Sequence, residues 1–204
     1  LASGYHLATG KTPLVYMQNS GLGNAVNPLL SLAAPEVYGI PILLMIGWRG
    51  EPGVKDEPQH VKQGEVMLAM LDAMKIDYEI LPNDIEIAKP IIEAMIQQMQ
   101  ESKTQKALII KKNTFDKYAL QGSSVNHYQL SREDAIQTLI GHLDESDIIV
   151  STTGKASREL FESRAAENSG HQRDLLTVGS MGHANQIALG IALKKKNRTV
   201  YCFD

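Results

Sequence analysis

Short apolar runs alternate along the chain with longer segments in which apolar residues recur every three or four positions. The run at 41–46 shows no alternation of polar and apolar residues, which is typical of a strand buried on both faces. The segment at 84–102 has a helical period, and Asp84 is suited to cap its first turn. Strands are predicted at 13–18, 41–46, 78–81, 107–111, 147–151, 175–178 and 199–203.

This alternation is interrupted over residues 113–129, where polar residues surround Gly122 without a clear period. A new helix is predicted after the break, because Ser131 and Asp134 resemble a capping box with Asp in place of Glu. Two runs of alternating strands and helices predict an α/β fold with two parallel-sheet units. Domains are expected at 1–121 and 131–204, joined by a linker at 122–130.

Composition and charge exclude several classes of protein. A hydrophobic content of 43% and a net charge of −3 are ordinary for a globular protein and argue against a general nucleic-acid binder. The basic run at 194–198 ends a predicted helix, where it complements the helix dipole. The longest apolar run, 40–47, is too short to cross a bilayer, so no membrane partner is expected. The single cysteine, Cys202, predicts no disulfide framework and a cytoplasmic location.

Two glycine turns each follow a predicted strand and open a helix in the second half of the chain. Gly179 to Gly182 comes after one strand, and Thr152 to Lys155 comes after another. Because ligands of parallel sheets bind at the carboxyl ends of strands, backbone N–H groups and hydroxyls here suit phosphate oxygens. The alternative for 152–155 is an ordinary helix cap supplied by Thr153 or Ser157.

Four segments carry a resemblance to a known family. They read Q-N-S-G-L-G-N at 18–24, G-W-R-G-E-P-G-V-K-D-E-P-Q-H at 47–60, T-T-G-K-A-S-R-E-L-F at 152–161 and G-S-M-G-H-A at 179–184. In this order they resemble the phosphonopyruvate decarboxylases, which depend on thiamine diphosphate, and the first segment is shared with sulfopyruvate decarboxylases. The resemblance implies a pyrimidine-binding-type domain followed by the start of a diphosphate-binding-type domain. It also implies decarboxylation of 3-phosphonopyruvate to phosphonoacetaldehyde and CO₂ in phosphonate biosynthesis.

The resemblance implies roles for the second domain. Loss of CO₂ from a 2-keto acid leaves a carbanion that needs an electron sink, which the thiazolium ring of thiamine diphosphate supplies. Met181 matches the apolar wedge between the cofactor's two rings, although core filling is the usual role of a methionine. Gly179 would offer its carbonyl to the pyrimidine amine. The residues expected to contact the cofactor are Thr152, Thr153, Gly154, Lys155, Gly179, Ser180, Met181, Gly182 and His183.

The resemblance also implies roles for the first domain. The turn Gln18, Asn19 and Ser20 would face the cofactor bound in a partner subunit, so a homo-oligomer with its active site at the subunit interface is expected. The substrate carries a carboxylate and a phosphonate, and such a small dianion needs cationic donors. Three candidates lie in the Gly/Pro-rich loop, and solvent exposure is the alternative for each: Arg49, Lys55 and His60.

Two expected residues would lie outside the given sequence. In the family the catalytic glutamate would precede Leu1, and the Mg²⁺-binding G-D-G aspartate would follow Asp204, so the chain by itself is expected to be inactive. The alternatives are decarboxylation of sulfopyruvate or another 2-keto acid, and a non-catalytic subunit with the same fold. A nucleotide-binding α/β protein is disfavoured, because the sequence contains neither G-x-G-x-x-G nor a Walker-type run.

Overall fold

A computed structural model describes residues 1–122 and 127–204. The chain forms two compact units, Leu1–Ala119 and Leu120–Asp204. Each contains a parallel sheet with helices, so the predicted α/β class is confirmed. The predicted linker at 122–130 includes residues 123–126, which lie outside the described residues.

The first unit is a four-stranded parallel sheet with the strand order β1-β2-β4-β3. A 3-10 turn at Asn19–Gly21 precedes the second helix, and a π-helical turn at Leu29–Ala33 follows it. Its elements are α1 (Ala2–Thr9), β1 (Leu14–Gln18), α2 (Leu22–Pro28), β2 (Leu43–Gly47), α3 (Pro58–Ala73), β3 (Asp77–Ile80), α4 (Ile85–Ser102) and β4 (Lys106–Ile110).

Both faces of this sheet are covered. Leu44 and Ile46 of β2 pack in one apolar cluster with Met67 and Leu71 of α3. Leu43, one residue away and therefore on the opposite face, packs with residues of α4 in a second cluster. The prediction that 41–46 is buried on both faces is therefore confirmed.

The second unit is a three-stranded parallel sheet with the order β6-β5-β7. The predicted capping box is present, because the Ser131 hydroxyl accepts from the Asp134 N–H and the Asp134 carboxylate accepts from the Ser131 N–H. Its elements are α5 (Arg132–Ile140), β5 (Ile148–Ser151), α6 (Lys155–Ala166), β6 (Asp174–Leu176), α7 (Ala184–Lys194) and β7 (Val200–Phe203). The central strand is buried on both sides: Ile149 packs with Leu160 of α6, and Val150 with Ala184 of α7.

Parallel pairing brings the carboxyl ends of neighbouring strands to one edge of each sheet. In the first unit Gln18 pairs with Gly47, and Gly47 with Ile110. In the second unit Ser151 pairs with Leu176 and with Phe203. Each edge therefore collects the segments that follow its strands, which is where a parallel sheet places its ligands. In the described part of the chain, no helix has both the length and the apolar character needed to span a bilayer.

Candidate functional site

Asn19 joins the two loops at the carboxyl edge of the first sheet. Its side-chain Nδ2 donates to the Arg49 carbonyl oxygen at 2.7 Å, and the Arg49 N–H donates to Asn19 Oδ1 at 3.2 Å. Asn19 is buried, whereas its neighbours Gln18 and Ser20 are exposed. A buried amide that is satisfied on both atoms fixes the turn after β1 against the loop after β2.

The Arg49 side chain binds a carboxylate of its own loop. Its Nε and Nη2 atoms donate to Asp56 at 2.8 and 2.5 Å. The same carboxylate accepts from the N–H groups of Gly50 and Glu57 at 2.7 and 2.8 Å. The Arg49 hydrogen bonds hold the pKa of Asp56 well below its usual range, and the same contact raises the pKa of Arg49. The Asp56 carboxylate thus holds the 47–57 loop together. Sequence reasoning did not identify this role of Asp56.

The start of this loop lies directly on α3. A Cβ added to Gly64 would lie 1.8 Å from the Gly50 carbonyl oxygen, and one added to Gly50 would lie 2.0 Å from the His60 carbonyl oxygen. Trp48 strengthens this contact, because its indole N–H donates to the Gly64 carbonyl at 3.0 Å. The His60 ring is partly buried beside the contact, and its Nδ1 has no hydrogen-bond partner among the described residues.

A cleft of about 380 Å³ opens at the same edge, across the ends of β1, β2 and β4. Of the three predicted substrate-binding residues, Arg49 and Lys55 line it, and His60 does not. Two further lysines, Lys111 and Lys112, also line it. Sequence reasoning missed both, although two consecutive lysines at the end of an apolar strand were a readable signal.

At the edge of the second sheet, α6 begins without a side-chain cap. Gly154 is its N-cap residue, with φ 92° and ψ −133°, a conformation that excludes most other residues. The Ser157 hydroxyl instead donates to the Thr152 carbonyl at 2.7 Å. Neither Thr153 nor Ser157 caps the helix, so the ordinary-cap alternative is not realised. The first N–H groups of α6 point towards this edge, beside exposed Lys155.

The second glycine turn exposes its methionine. Met181 is 77% exposed, so it does not fill the core of its unit. Ser180 and Gly182 have φ values of 53° and 80°, and Gly182 has open space where a Cβ would stand. The His183 Nδ1 lies 3.1 Å from the carbonyl oxygens of Ser180 and Met181.

The two turns of the second unit are connected at their base. Thr177, at the start of the second turn, donates from its hydroxyl to the Ser151 carbonyl at 2.8 Å. An uncapped helix N-terminus with hydroxyls and a lysine suits a diphosphate, and the exposed apolar Met181 on the neighbouring turn can contact the ring of a cofactor. The residues present therefore fit thiamine diphosphate. Among the described residues no group of three or more His, Cys, Asp or Glu side chains is arranged to hold a metal ion.

Comparisons with known proteins show which proteins the chain is similar to. The chain is 30% identical over 193 residues to a phosphonopyruvate decarboxylase from Streptomyces viridochromogenes, covering 86% of this chain and 46% of that protein. It is 27% identical to a sulfopyruvate decarboxylase from Methanosarcina acetivorans, covering 100% of this chain and 55% of that protein. It is 36% identical over 109 residues to a sulfopyruvate decarboxylase subunit alpha from Methanothermobacter thermautotrophicus, covering 53% of this chain and 64% of that subunit.

The chain thus spans about half the length of the two longer relatives. No protein-family model matches it.

Proposed function

Because the chain belongs to the family of the phosphonopyruvate and sulfopyruvate decarboxylases, we propose that its protein decarboxylates 3-phosphonopyruvate. The products are phosphonoacetaldehyde and CO₂, and the reaction serves phosphonate biosynthesis. The cofactors are thiamine diphosphate and Mg²⁺, with the metal ligands beyond residue 204. Cys202, the single cysteine, is in keeping with a cytoplasmic enzyme.

One observation carries the cofactor assignment. The uncapped start of α6 and the open turn before α7 follow adjacent strands, β5 and β6, of one sheet. When bound, the thiazolium ring supplies the electron sink for decarboxylation. The N–H groups that follow Gly154, with Thr152, Thr153 and Lys155, hold the diphosphate. They suit it because a helix N-terminus favours negative charge.

The turn of the second glycine motif orients the organic part of the cofactor. Met181 would contact the rings of the bound cofactor, and Gly179 would offer its carbonyl to the pyrimidine amine. Ser180 and Gly182 shape the backbone of this turn through their positive φ values. His183 supports this turn, because its Nδ1 lies 3.1 Å from the carbonyl oxygens of Ser180 and Met181.

The first unit contributes from the neighbouring subunit of a homo-oligomer. The turn of Gln18, Asn19 and Ser20 faces the cofactor there, and Asn19 holds the turn in position through its two hydrogen bonds to the Arg49 backbone. The names of some sulfopyruvate decarboxylase relatives describe alpha and beta subunits, which favours an assembly of subunits for this protein as well. Light scattering at assay concentration tests this, and an active strict monomer would contradict it.

Turnover tests the proposal as a whole. The protein that carries this chain should release CO₂ from phosphonopyruvate only when thiamine diphosphate and Mg²⁺ are both present. If thiamine diphosphate binds with the same affinity in EDTA as in Mg²⁺, the cofactor assignment is wrong. Sulfopyruvate is the second candidate substrate, because the relative that covers the whole chain carries that name. A higher kcat/KM for sulfopyruvate would replace the first substrate by the second.

The role of Arg49 separates two readings of the substrate loop. Direct contact with the phosphonate predicts that Arg49→Ala lowers kcat/KM for phosphonopyruvate by about ten- to a hundred-fold while pyruvate is little affected. The pair with Asp56 favours the other reading, in which Arg49 holds the loop and both substrates lose rate in parallel. Measuring both substrates with both proteins decides between them, and a change in neither removes Arg49 from the site.

A further inference from the structure

The cleft at the carboxyl edge of the first sheet is built from two separate segments. One wall comes from the loop after β2, including Trp48, Arg49 and Lys55. The other comes from Lys111 and Lys112, which directly follow β4. The strands β2 and β4 are hydrogen-bonded neighbours, and the Trp48 N–H continues their ladder by donating to the Ile110 carbonyl at 2.8 Å. The two walls therefore keep a fixed spacing at the sheet edge.

The charges of the cleft are not balanced. Four of its lining side chains are cationic, and only Glu51 and Asp56 are anionic. The carboxylate of Asp56 is occupied by Arg49, and Glu51 accepts from Lys111 Nζ at 2.5 Å. Both carboxylates are thus paired with cations, and the cleft keeps a net positive charge.

Lys111 is paired with other groups of the cleft. Besides its pair with Glu51, its Nζ lies 5.9 Å from the centroid of the Trp48 ring, within the range of a cation–π contact. Lys55 and Lys112, by contrast, are exposed and form no ion pair within residues 1–122 and 127–204. These two ammonium groups, one from each wall, are the cleft's uncommitted donors.

We propose that the cleft binds the second anion of the substrate, the phosphonate or sulfonate group, between Lys112 and Lys55. This inference rests on the proposed function and adds Lys112, which neither the sequence motifs nor the comparisons assign. The bound group has oxygens on several sides, so it can accept from donors on opposite walls. Arg49 and Lys111 shape the walls through their ion pairs with Asp56 and Glu51. The ligand is therefore bound by the two unpaired lysines.

Phosphonoacetate is a stable probe, because it carries a phosphonate and a carboxylate but has no keto group to react. Its affinity for the chain is measured by ³¹P NMR titration at low salt, with acetate as the singly charged control. Lys112→Ala and Lys55→Ala should each weaken phosphonoacetate binding by about ten- to a hundred-fold. Lys112→Arg should retain most of the affinity. The matched control is Lys89→Ala, which removes an exposed lysine of α4 outside the cleft and should leave binding unchanged.

Two results would overturn the inference. One is equal phosphonoacetate affinity in wild type, Lys112→Ala and Lys55→Ala. The other is an equal loss in these variants and in Lys89→Ala, which would show a general effect of net charge. Trp48 fluorescence confirms that the loop is intact in each variant. If Lys112→Ala is misfolded, Lys112→Gln, which also removes the ammonium group, is measured in its place.

The turnover assay keeps this inference separate from the proposed function. Decarboxylation of phosphonopyruvate with an unchanged KM in Lys112→Ala would defeat the inference and leave the function standing. Lysine-dependent binding of phosphonoacetate by a protein that releases no CO₂ would do the reverse.

Discussion

Each unit contains a bidentate arginine–aspartate pair, but the two units place it at opposite ends of their sheets. In the first unit Arg49 and Asp56 lie in the loop after the carboxyl end of β2. In the second unit Arg164, at the end of α6, donates at 3.0 and 2.8 Å to Asp174, the first residue of β6. The first pair therefore shapes the candidate cleft of the first unit, and the second braces the edge of its sheet away from the glycine turns.

This difference separates two ways of preparing a binding edge. The loop at the edge of the first sheet is held in place by its own contacts, which involve Asn19, Asp56 and the close approach of Gly50 to Gly64. At the edge of the second sheet, the glycine turns at 154 and 182 have open space around them. A site for a small substrate needs donors in fixed positions, whereas a cradle for a larger cofactor needs room.

The largest loss of stability is expected from Asp174→Asn. The Asp174 side chain is fully buried and that of Arg164 is 7% exposed, so the substitution leaves a buried guanidinium without its anion. The free energy of unfolding of the second unit should fall by about 3–5 kcal/mol. Amide hydrogen exchange in β5 and β6 measures it.

The matched control for that variant is Asp144→Asn. Asp144 is an exposed aspartate of the same unit, and its side chain forms no hydrogen bond or ion pair among the described residues. Equal protection of β5 in the two variants would show that the Arg164–Asp174 pair does not brace this edge.

A smaller but still substantial loss is expected from Gly64→Ala. Alanine favours a helix over glycine by about 1 kcal/mol, but here its Cβ would meet the backbone of Gly50 and Arg49. The clash should win and cost about 2–3 kcal/mol net. Urea unfolding followed by Trp48, the single tryptophan, reports on this contact directly.

Gly190→Ala is the control for helix propensity. Gly190 lies in α7 with nothing within 4 Å of its added Cβ, so the substitution should stabilise by up to about 1 kcal/mol. Gly64→Ala with a stability equal to or above that of wild type would mean that the loop does not rest on α3 as described.

Asp56→Asn should have a moderate effect that depends on pH. At neutral pH the loss of the charged hydrogen bonds should cost about 1–2 kcal/mol. The pKa of Asp56 is lowered in the folded state, chiefly by Arg49, so its contribution is present above the unfolded-state pKa of about 3.9. It is lost as pH falls towards the lower folded-state pKa.

The stability gap between wild type and Asp56→Asn should therefore narrow in acid. Unfolding by urea at pH 7, 4 and 3 measures this gap, again through Trp48. Asp116→Asn removes an exposed carboxylate of the same unit. Its free energy of unfolding should equal that of wild type at each of these pH values. A gap for Asp56→Asn that stays constant from pH 7 to pH 3 would contradict a lowered pKa.

The sequence was sufficient to predict the elements because their signals are local. Each of the seven predicted strands overlaps an observed one, and the Ser131 capping box is present. The helix α3 starts at Pro58, three residues before the apolar period that begins at Val61. Proline favours the first helical position, which periodicity does not detect. The apolar residues at 199–203 favour a buried strand, but β7 is an edge strand among the described residues and Cys202 is exposed.

The candidate site was predictable only in part, because its contacts join distant or irregular segments. Parallel strands place the turns at 152–155 and 179–182 on one edge of the sheet. The position of these two turns could therefore be predicted from the sequence. The partner of Arg49 depends on how the loop folds back on itself. Hydrophobic periodicity carries no information about the path of a loop. The contact of Gly50 with Gly64 is likewise visible only after α3 is packed. Lys111 was assigned to strand β4, which concealed that the strand ends in two cationic residues at the cleft.

The smallest change in stability is expected from Met181→Ala, although its effect on turnover should be large. The Met181 side chain is 77% exposed, so truncation should change the free energy of unfolding by no more than about 0.5 kcal/mol. Met99 is fully buried and serves as the control for a methionine of the core. Met99→Ala should lower the free energy of unfolding by about 2–5 kcal/mol. If Met181 supports the bent cofactor, kcat should fall by about a hundred-fold through lost positioning. Thermal unfolding and single-turnover decarboxylation of both variants make the comparison. A lowered Tm with normal turnover in the remaining folded Met181→Ala enzyme would show that this methionine stabilises the fold and does not position the cofactor.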